Sequence, residues 1–125
     1  MASIRQLQVA ETIKRHFSEL LVMEGQYIYG SEPFVTVTNV VVSPDISVAK
    51  IYLSVYNVAT KENVIGLLDE SSHSLKISLG KRLKKHLRRI PQLEFHLDEL
   101  LDEMERVDNL FDRLHAKNQM GSEEE

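Results

Sequence analysis

Two runs of strand-forming residues, joined by a short turn, constrain the fold of this 125-residue chain more than any other feature. Residues 34–42 are rich in valine and threonine, whose branched side chains pack well in a sheet. Ser43-Pro44-Asp45 follows, and proline fixes the backbone for a turn. Apolar and polar residues then alternate over 49–56, which is typical of a strand with one buried face. The sequence therefore predicts an antiparallel hairpin.

Helical periodicity precedes and follows this hairpin. Apolar residues recur every three or four positions over 3–27, which predicts a helix capped by Ser3, and Gly25 and Gly30 then break the pattern. A second helix is predicted over 61–71. Serines compete for backbone hydrogen bonds, so we expect a helix kink at the next residues. The predicted kink residues are Ser71, Ser72 and His73.

After the kink, leucines spaced four residues apart predict an amphipathic helix that runs to Arg89 and is stopped by Pro91. Gly80 inside it is expected to permit close packing. A short strand over 93–97 and a last helix over 100–114 complete an order of α-β-β-α-α-β-α. Because a helical crossover joins the second and third strands, we expect these to be parallel. The predicted class is α+β, with a three-stranded sheet and helices packed on one face.

Charge is distributed unevenly along the chain, whose formal net charge is −4. Residues 76–89 carry seven cationic side chains and no acidic one, whereas residues 94–112 carry eight acids and only Arg106 as a base. A concentrated basic helix on a small acidic domain indicates a binder of phosphate backbones. The alternative is a solvated helix face whose charges pair with the acids of 94–112. The seven cations are Lys76, Lys81, Arg82, Lys84, Lys85, Arg88 and Arg89.

No pattern in the sequence indicates an enzyme, a metal or a cofactor. The chain has no cysteine, and its five histidines lack the spacing of a zinc site. His86 falls on the apolar side of its predicted helix, so we expect a packed or boundary residue. Tyr52 and Tyr56 lie on the polar face of the second strand and could stack on bases. Strand propensity or a covering helix explains both tyrosines as well, and is the interpretation we favour.

The length and hydropathy of the chain predict one soluble cytoplasmic domain. A chain of 125 residues is large enough for a single core. No apolar run reaches the roughly 20 residues that span a bilayer. The N-terminus lacks the apolar stretch of a secretory signal. We expect the domain to occupy residues 1–117, and the acidic residues 118–125 to be a disordered tail.

Several segments together resemble the ribosome-binding factor A family. They are the hairpin 34–52, the first-helix segment 9–13, and the stretch 79–95 with its Leu-Gly-Lys and Ile-Pro-Gln-Leu-Glu-Phe motifs. Asp98, Arg106, Asn109 and Leu110 match the start of the family's last helix, so the resemblance covers residues 4–115. The family commonly has an Ala-x-Gly kink between its central helices, and Ser71-Ser72-His73 stands there in this chain.

The resemblance implies a type II KH-like fold and a non-enzymatic, monomeric RNA-binding protein. It implies a factor that binds free small ribosomal subunits, assists late maturation of small-subunit rRNA, supports growth in the cold and works alongside assembly GTPases. On this interpretation Lys81, Lys84, Lys85 and Arg88 bind rRNA phosphates, and the other three cations assist them. Arg5, Lys14 and Arg15 of the first helix are candidates for a second RNA contact.

Two other functional classes remain open on the sequence alone. A protein-interaction module could dock an acidic partner through the same cationic residues, and both kinds of binding depend on salt. An RNA-processing enzyme is disfavoured because no catalytic set of residues is evident, and Asp102 and Asp108 would be its first candidates.

Overall fold

A computed structural model describes residues 2–98, which form a three-stranded sheet and four helices. The predicted last helix, with Arg106, Asn109 and Leu110, and the tail 118–125 lie outside the described residues. The described elements, in chain order, are α1 (Ile4–Glu24), α2 (Gln26–Tyr29), β1 (Phe34–Val42), β2 (Val48–Tyr56), α3 (Lys61–Glu70), α4 (Ser72–Leu83) and β3 (Gln92–Leu97).

The sheet has the strand order β1-β2-β3, and the predicted hairpin is confirmed. β1 and β2 are antiparallel, with Val42 opposite Ala49, and β2 and β3 are parallel, as the helical crossover predicts. The register of the hairpin shifts between Val37 and Asn39. The intervening Thr38 places its Oγ1 atom 2.6 Å from Asp98 Oδ2, so a bulge in β1 contacts the chain just beyond β3.

The core lies between one face of the sheet and the helices. Every second residue of β2 is fully buried on this face, because side chains alternate along a strand. α1 packs against β1, and α3 packs against β2 and β3, which confirms the predicted α+β class. Phe17 of α1 meets Phe95 of β3, with ring centroids 5.7 Å apart. The buried β2 residues are Ala49, Ile51, Leu53 and Val55.

α1 begins with reciprocal hydrogen bonds that confirm Ser3 as its N-cap. The Gln6 amide donates to Ser3 Oγ, and the Ser3 amide donates to Gln6 Oε1 at 2.8 Å. This capping box satisfies two backbone donors that a helix start otherwise leaves free. Gln6 Nε2 also donates to the Val42 carbonyl at 2.9 Å, which fixes the start of α1 against the end of β1.

The first helix does not reach residue 27 as one element. α1 ends at Glu24, and α2 continues as far as Tyr29. Gly25 between them keeps right-handed helical angles (φ −58°, ψ −38°), and the Tyr29 hydroxyl occupies the space where a Cβ atom of Gly25 would lie. Gly30 then ends the helical path with a φ of 88°. The predicted break at Gly25 is therefore a junction between two helices.

The prediction that the helix after the kink continues to Arg89 is wrong, since α4 ends at Leu83. The amides of His86 and Leu87 both donate to the Leu83 carbonyl, which closes one last turn. Beyond Leu83, a longer helix would place like charges four residues apart, as at Lys84 and Arg88, and such pairs destabilise a helix. Pro91 also disfavours helical angles at the residue before it.

The buried stripe of α4 agrees with the predicted leucine spacing. Leu75, Leu79 and Leu83 are buried, and Leu87 stays buried beyond the end of the helix. A Cβ atom on Gly80 would lie only 3.3 Å from Ile90 Cγ1, which confirms that this glycine permits close packing. Within residues 2–98, no helix has the length and hydropathy that crossing a bilayer requires.

Candidate nucleic-acid interface

The predicted cations do not lie on one helix. Lys76, Lys81 and Arg82 belong to α4, whereas the other four follow its end. We call residues 81–89 the basic segment. All its cations are exposed except Arg82, which is half-buried. The chain after α4 therefore presents Lys84, Lys85, Arg88 and Arg89 to solvent without the regular spacing of a helix.

Arg82 has partners on α1. Its Nη1 atom lies 3.1 Å from Glu19 Oε1, and its Nη2 atom lies 2.9 Å from Met23 Sδ. The Arg82 side chain is 27% exposed and that of Glu19 is 57% exposed, so this ion pair is partly screened by water. Arg82 thus fixes the last turn of α4 against α1 and keeps only part of its guanidinium available to a ligand.

A histidine pair continues the contact between α1 and the basic segment. The His16 and His86 rings have centroids 5.6 Å apart and are tilted by 43°. His86 is exposed, so it is a boundary residue that contacts α1 and also reaches solvent. His16 Nδ1 is buried without a hydrogen-bond partner. Burial, followed by the charge of Arg15, lowers the pKa of His16, because both disfavour the cationic ring.

Lys76 lies on a different side of α4 from Arg82, and it shares a hollow with residues of α4 and with residues that follow the helix. His73, Lys76, Gly80 and Arg89 contribute to the lining of this hollow, whose volume is about 390 Å³. The Lys76 Nζ atom lies 3.5 Å from Gln92 Oε1, so that contact is weak. The structure therefore brings Lys76 close to Arg89, while Arg82 faces α1.

The predicted kink residues lie at the junction of α3 and α4. Ser71 leaves the helical region (φ −95°, ψ 7°), and its amide donates to the carbonyls of Leu67 and Leu68. α4 begins at Ser72, and no side chain caps it. The direction of the chain thus changes at Ser71 alone, with Ser72 and His73 in the first turn of α4.

The three residues of α1 that are candidates for a second RNA contact, Arg5, Lys14 and Arg15, lie on different sides of the helix. At roughly 100° per residue, Arg5 falls on the same side of α1 as His16 and Met23, whereas Lys14 falls on the side of β1. Arg15 lies between these directions and is exposed. The structure therefore places only Arg5 on the side of α1 that carries the contacts to α4.

Sequence reasoning missed the contacts that shape this surface. The Arg82–Glu19 pair joins residues 63 positions apart, and no local pattern reports such a contact. It also missed that Tyr52 stacks on His96, with ring centroids 5.3 Å apart, while His96 Nε2 lies 3.2 Å from Glu94. Within the described part of the chain, no three His, Asp or Glu side chains lie together in a group that could hold a metal ion.

The charge of the described residues is positive overall. Residues 2–98 contain twelve Lys or Arg and ten Asp or Glu, which gives a net charge of +2. Because the whole chain carries −4, the negative excess belongs to residues 99–125. Residues 2–98 are therefore close to neutral overall, and their positive charge is concentrated in the basic segment, which holds six of the twelve Lys and Arg side chains.

Comparison with known proteins gives the family. The family model described as "Ribosome-binding factor A" matches residues 5–111. A protein of that name from Cytophaga hutchinsonii is 32% identical over 114 residues, which cover 91% of this chain and 85% of the relative. The Chlorobium phaeobacteroides protein of that name is 29% identical, covering 94% and 99% of the two chains.

Solved structures agree with this family. The crystal structure of ribosome-binding factor A from Thermus thermophilus superposes with a TM-score of 0.58 at 25% identity, covering 72% of this chain and 92% of that one. A model of the Thermus thermophilus factor, fitted into a cryo-EM map of a 30S–RbfA complex, gives a TM-score of 0.56 at 29% identity and covers 68% and 86%. With the family model matching most of its length, this chain belongs to the ribosome-binding factor A family.

Proposed function

We propose that this protein is a non-enzymatic assembly factor that binds free small ribosomal subunits and assists the late maturation of their rRNA. One observation carries the proposal: five of the six Lys and Arg side chains of the basic segment are exposed, and no acidic residue lies within it. The relative fitted into a map of a 30S–RbfA complex supports the choice of partner.

The basic segment would hold rRNA through its phosphates. Lys81, Lys84, Lys85 and Arg88 are the principal contacts in this proposal, and each phosphate contact releases counterions and makes binding sensitive to salt. Phosphate contacts position a protein and carry little sequence information. The shape of the immature rRNA would therefore provide the selectivity.

The remaining cations would have different roles. Lys76 and Arg89 both line the hollow beside His73, so a phosphate bound there would contact both side chains. Arg82 contributes less charge, because Glu19 neutralises part of it. Arg5 is the α1 residue suited to extend the same surface, while Lys14 and Arg15 would require a second contact elsewhere on the RNA.

We extend the proposal to the whole chain and its setting. A single KH-like domain would occupy residues 1–117, with residues 118–125 as an acidic tail. The protein would act as a monomer in the cytoplasm, alongside assembly GTPases, and support growth in the cold. The junction at Ser71, Ser72 and His73 would set the angle at which α4 presents its cations.

Co-sedimentation with purified ribosomal particles tests the function. The protein is expected to sediment with free small subunits and not with full ribosomes, and to dissociate as the salt concentration rises. Reversal of Lys81, Lys84, Lys85 and Arg88 to Glu should abolish binding without unfolding the protein. Lys84→Glu and Lys50→Glu form a matched pair, because both residues are exposed and only Lys84 lies in the basic segment.

Two outcomes would contradict this function. Unchanged sedimentation of the fourfold variant would remove the basic segment from the interface. Retention of a partner protein after nuclease treatment of a pulldown, with no rRNA bound, would instead favour a protein-interaction module.

A further inference from the structure

Three planar side chains follow one another along one side of α1. The His86 ring lies against His16, and the Arg82 guanidinium lies against Glu19 and Met23. His16, Glu19 and Met23 recur at three- and four-residue spacing, so they form a single stripe on α1. His86 and Arg82 are thus held in order along this stripe.

Tyr27 continues the stripe. It follows Met23 by four residues, and Gly25 between them keeps helical angles, so the two side chains leave the same side of the helical path. The Tyr27 side chain is 81% exposed. Tyr29 on the same short helix is half-buried against Gly25, which fixes the direction of α2 and keeps Tyr27 in solvent.

We propose that His86, Arg82 and Tyr27 form a stacking row that binds unpaired RNA bases beside the basic segment. Unpaired bases stack on aromatic rings and on guanidinium planes, whereas bases within a duplex expose no free face. From His16 to Tyr27 the stripe spans eleven residues, or about 16 Å of helix at 1.5 Å per residue. That length suits roughly four or five stacked nucleotides at 3.4 Å each.

The neighbouring cations determine how the strand would lie. Lys84 and Lys85 precede His86 and are exposed, so they can contact the phosphates of a base stacked on that ring. Glu19 and Met23 fix the Arg82 guanidinium before any ligand arrives, which lowers the entropy lost on binding. This inference rests on the proposed function and names the kind of RNA that the site takes: a short single-stranded segment.

Substitution of Tyr27 tests the row. The probes are a short single-stranded RNA of mixed sequence without self-complementarity, and the duplex that it forms with its complement. Tyr27→Ala should weaken binding of the single strand about tenfold and leave duplex binding unchanged, because only the single strand offers base faces. Tyr27→Phe retains the ring and should bind within about twofold of the original protein.

Phe34→Ala is the matched control, because Phe34 is an aromatic residue of similar exposure (69%) that lies at the start of β1 and outside the row. It should leave both affinities unchanged. Equal affinities for Tyr27→Ala and the original protein would overturn the row, as would equal weakening of both probes.

Lys84→Glu, measured with the same probes, separates the row from the proposed function. If Lys84→Glu weakens both probes while Tyr27→Ala weakens neither, the stacking row is wrong and the phosphate contacts remain. If Tyr27→Ala weakens only the single strand, the row is supported whatever the effect of Lys84→Glu. Tests with small subunits then decide the proposed function separately.

Discussion

Arg82 and Glu19 join the end of α4 to α1 through an ion pair of 3.1 Å. One residue of the basic segment therefore has an acidic partner within the protein, even though no acid lies near it in sequence. Both side chains are partly exposed, so the pair is expected to stabilise the fold only slightly. Its larger effect is electrostatic, because Glu19 competes with any phosphate for Arg82.

Glu19→Gln should therefore make RNA binding more sensitive to salt. Removing the carboxylate leaves the Arg82 charge free for one further phosphate. The slope of log binding constant against log salt for a single-stranded RNA should steepen by up to about 0.7. The free energy of unfolding should fall by less than about 1 kcal/mol.

A salt titration by fluorescence anisotropy measures this slope. Glu11→Gln is the control, because Glu11 is also an exposed acid of α1 but falls on the side away from α4. An unchanged slope for Glu19→Gln, or an equal change for Glu11→Gln, would show that Arg82 does not respond to its partner.

The hairpin was predictable because its information is local. Branched residues over 34–42, the Ser43-Pro44-Asp45 turn and the alternation over 49–56 each report on neighbouring residues. The structure confirms both strands and their antiparallel pairing. The bulge at Thr38 was missed, because its hydroxyl contacts Asp98, sixty residues away.

The leucine pattern predicts too long a helix for α4, because buried leucines continue beyond the residue at which the helix ends. Leu87 is buried like Leu83, but it belongs to the turn that leads towards β3. The spacing of apolar residues indicates which side chains are buried. Here the burial continues to Leu87, although the backbone is no longer helical after Leu83. The sequence alone shows that residues 81–89 are rich in cations. It does not show that Arg82 contacts α1 while Arg89 lies in the hollow with Lys76, because both contacts depend on the tertiary fold.

Core packing of α4 gives a prediction on stability. Leu79 is fully buried, so Leu79→Ala should lower the free energy of unfolding by about 2–5 kcal/mol. Ile77 on the same helix is 50% exposed, so Ile77→Ala should change the free energy of unfolding by less than about 1 kcal/mol. Urea denaturation of both variants measures the difference, and equal losses would place α4 in a different orientation.

Two glycines should respond to alanine in opposite directions. Gly66 lies inside α3, and no atom lies within 4 Å of the position of an added Cβ, so Gly66→Ala should stabilise the protein by about 0.5–1 kcal/mol. Gly30 has a φ of 88° and a ψ of 177°, a conformation almost restricted to glycine. Gly30→Ala should therefore destabilise the protein by about 1–3 kcal/mol.

Thermal and urea unfolding of the two glycine variants provide the comparison. The reversal of sign is the informative result, since both substitutions add the same methyl group. A loss of stability for Gly66→Ala would mean that α3 is crowded at this position, and a gain for Gly30→Ala would mean that the turn after α2 adopts another conformation.

His16 should make the stability of the protein depend on pH. The pKa of His16 is lowered from the ordinary value of 6.5, so the folded protein favours the neutral ring. Below pH 6.5 the unfolded chain binds a proton at this residue that the folded chain resists. Stability should therefore fall as the pH drops through 6.5 towards the lower folded pKa, and should not vary on this account at higher pH.

His16→Gln removes the titrating ring and should flatten this dependence. Urea unfolding of both proteins at pH 8 reports only the change in packing, because His16 is then neutral in both the folded and the unfolded state. Repeating the comparison at pH 5.5 adds the effect of the proton, so the original protein should lose more stability between the two pH values than His16→Gln does. Equal losses would mean that the buried Nδ1 atom beside His86 accepts a proton in the folded protein as readily as in the unfolded chain.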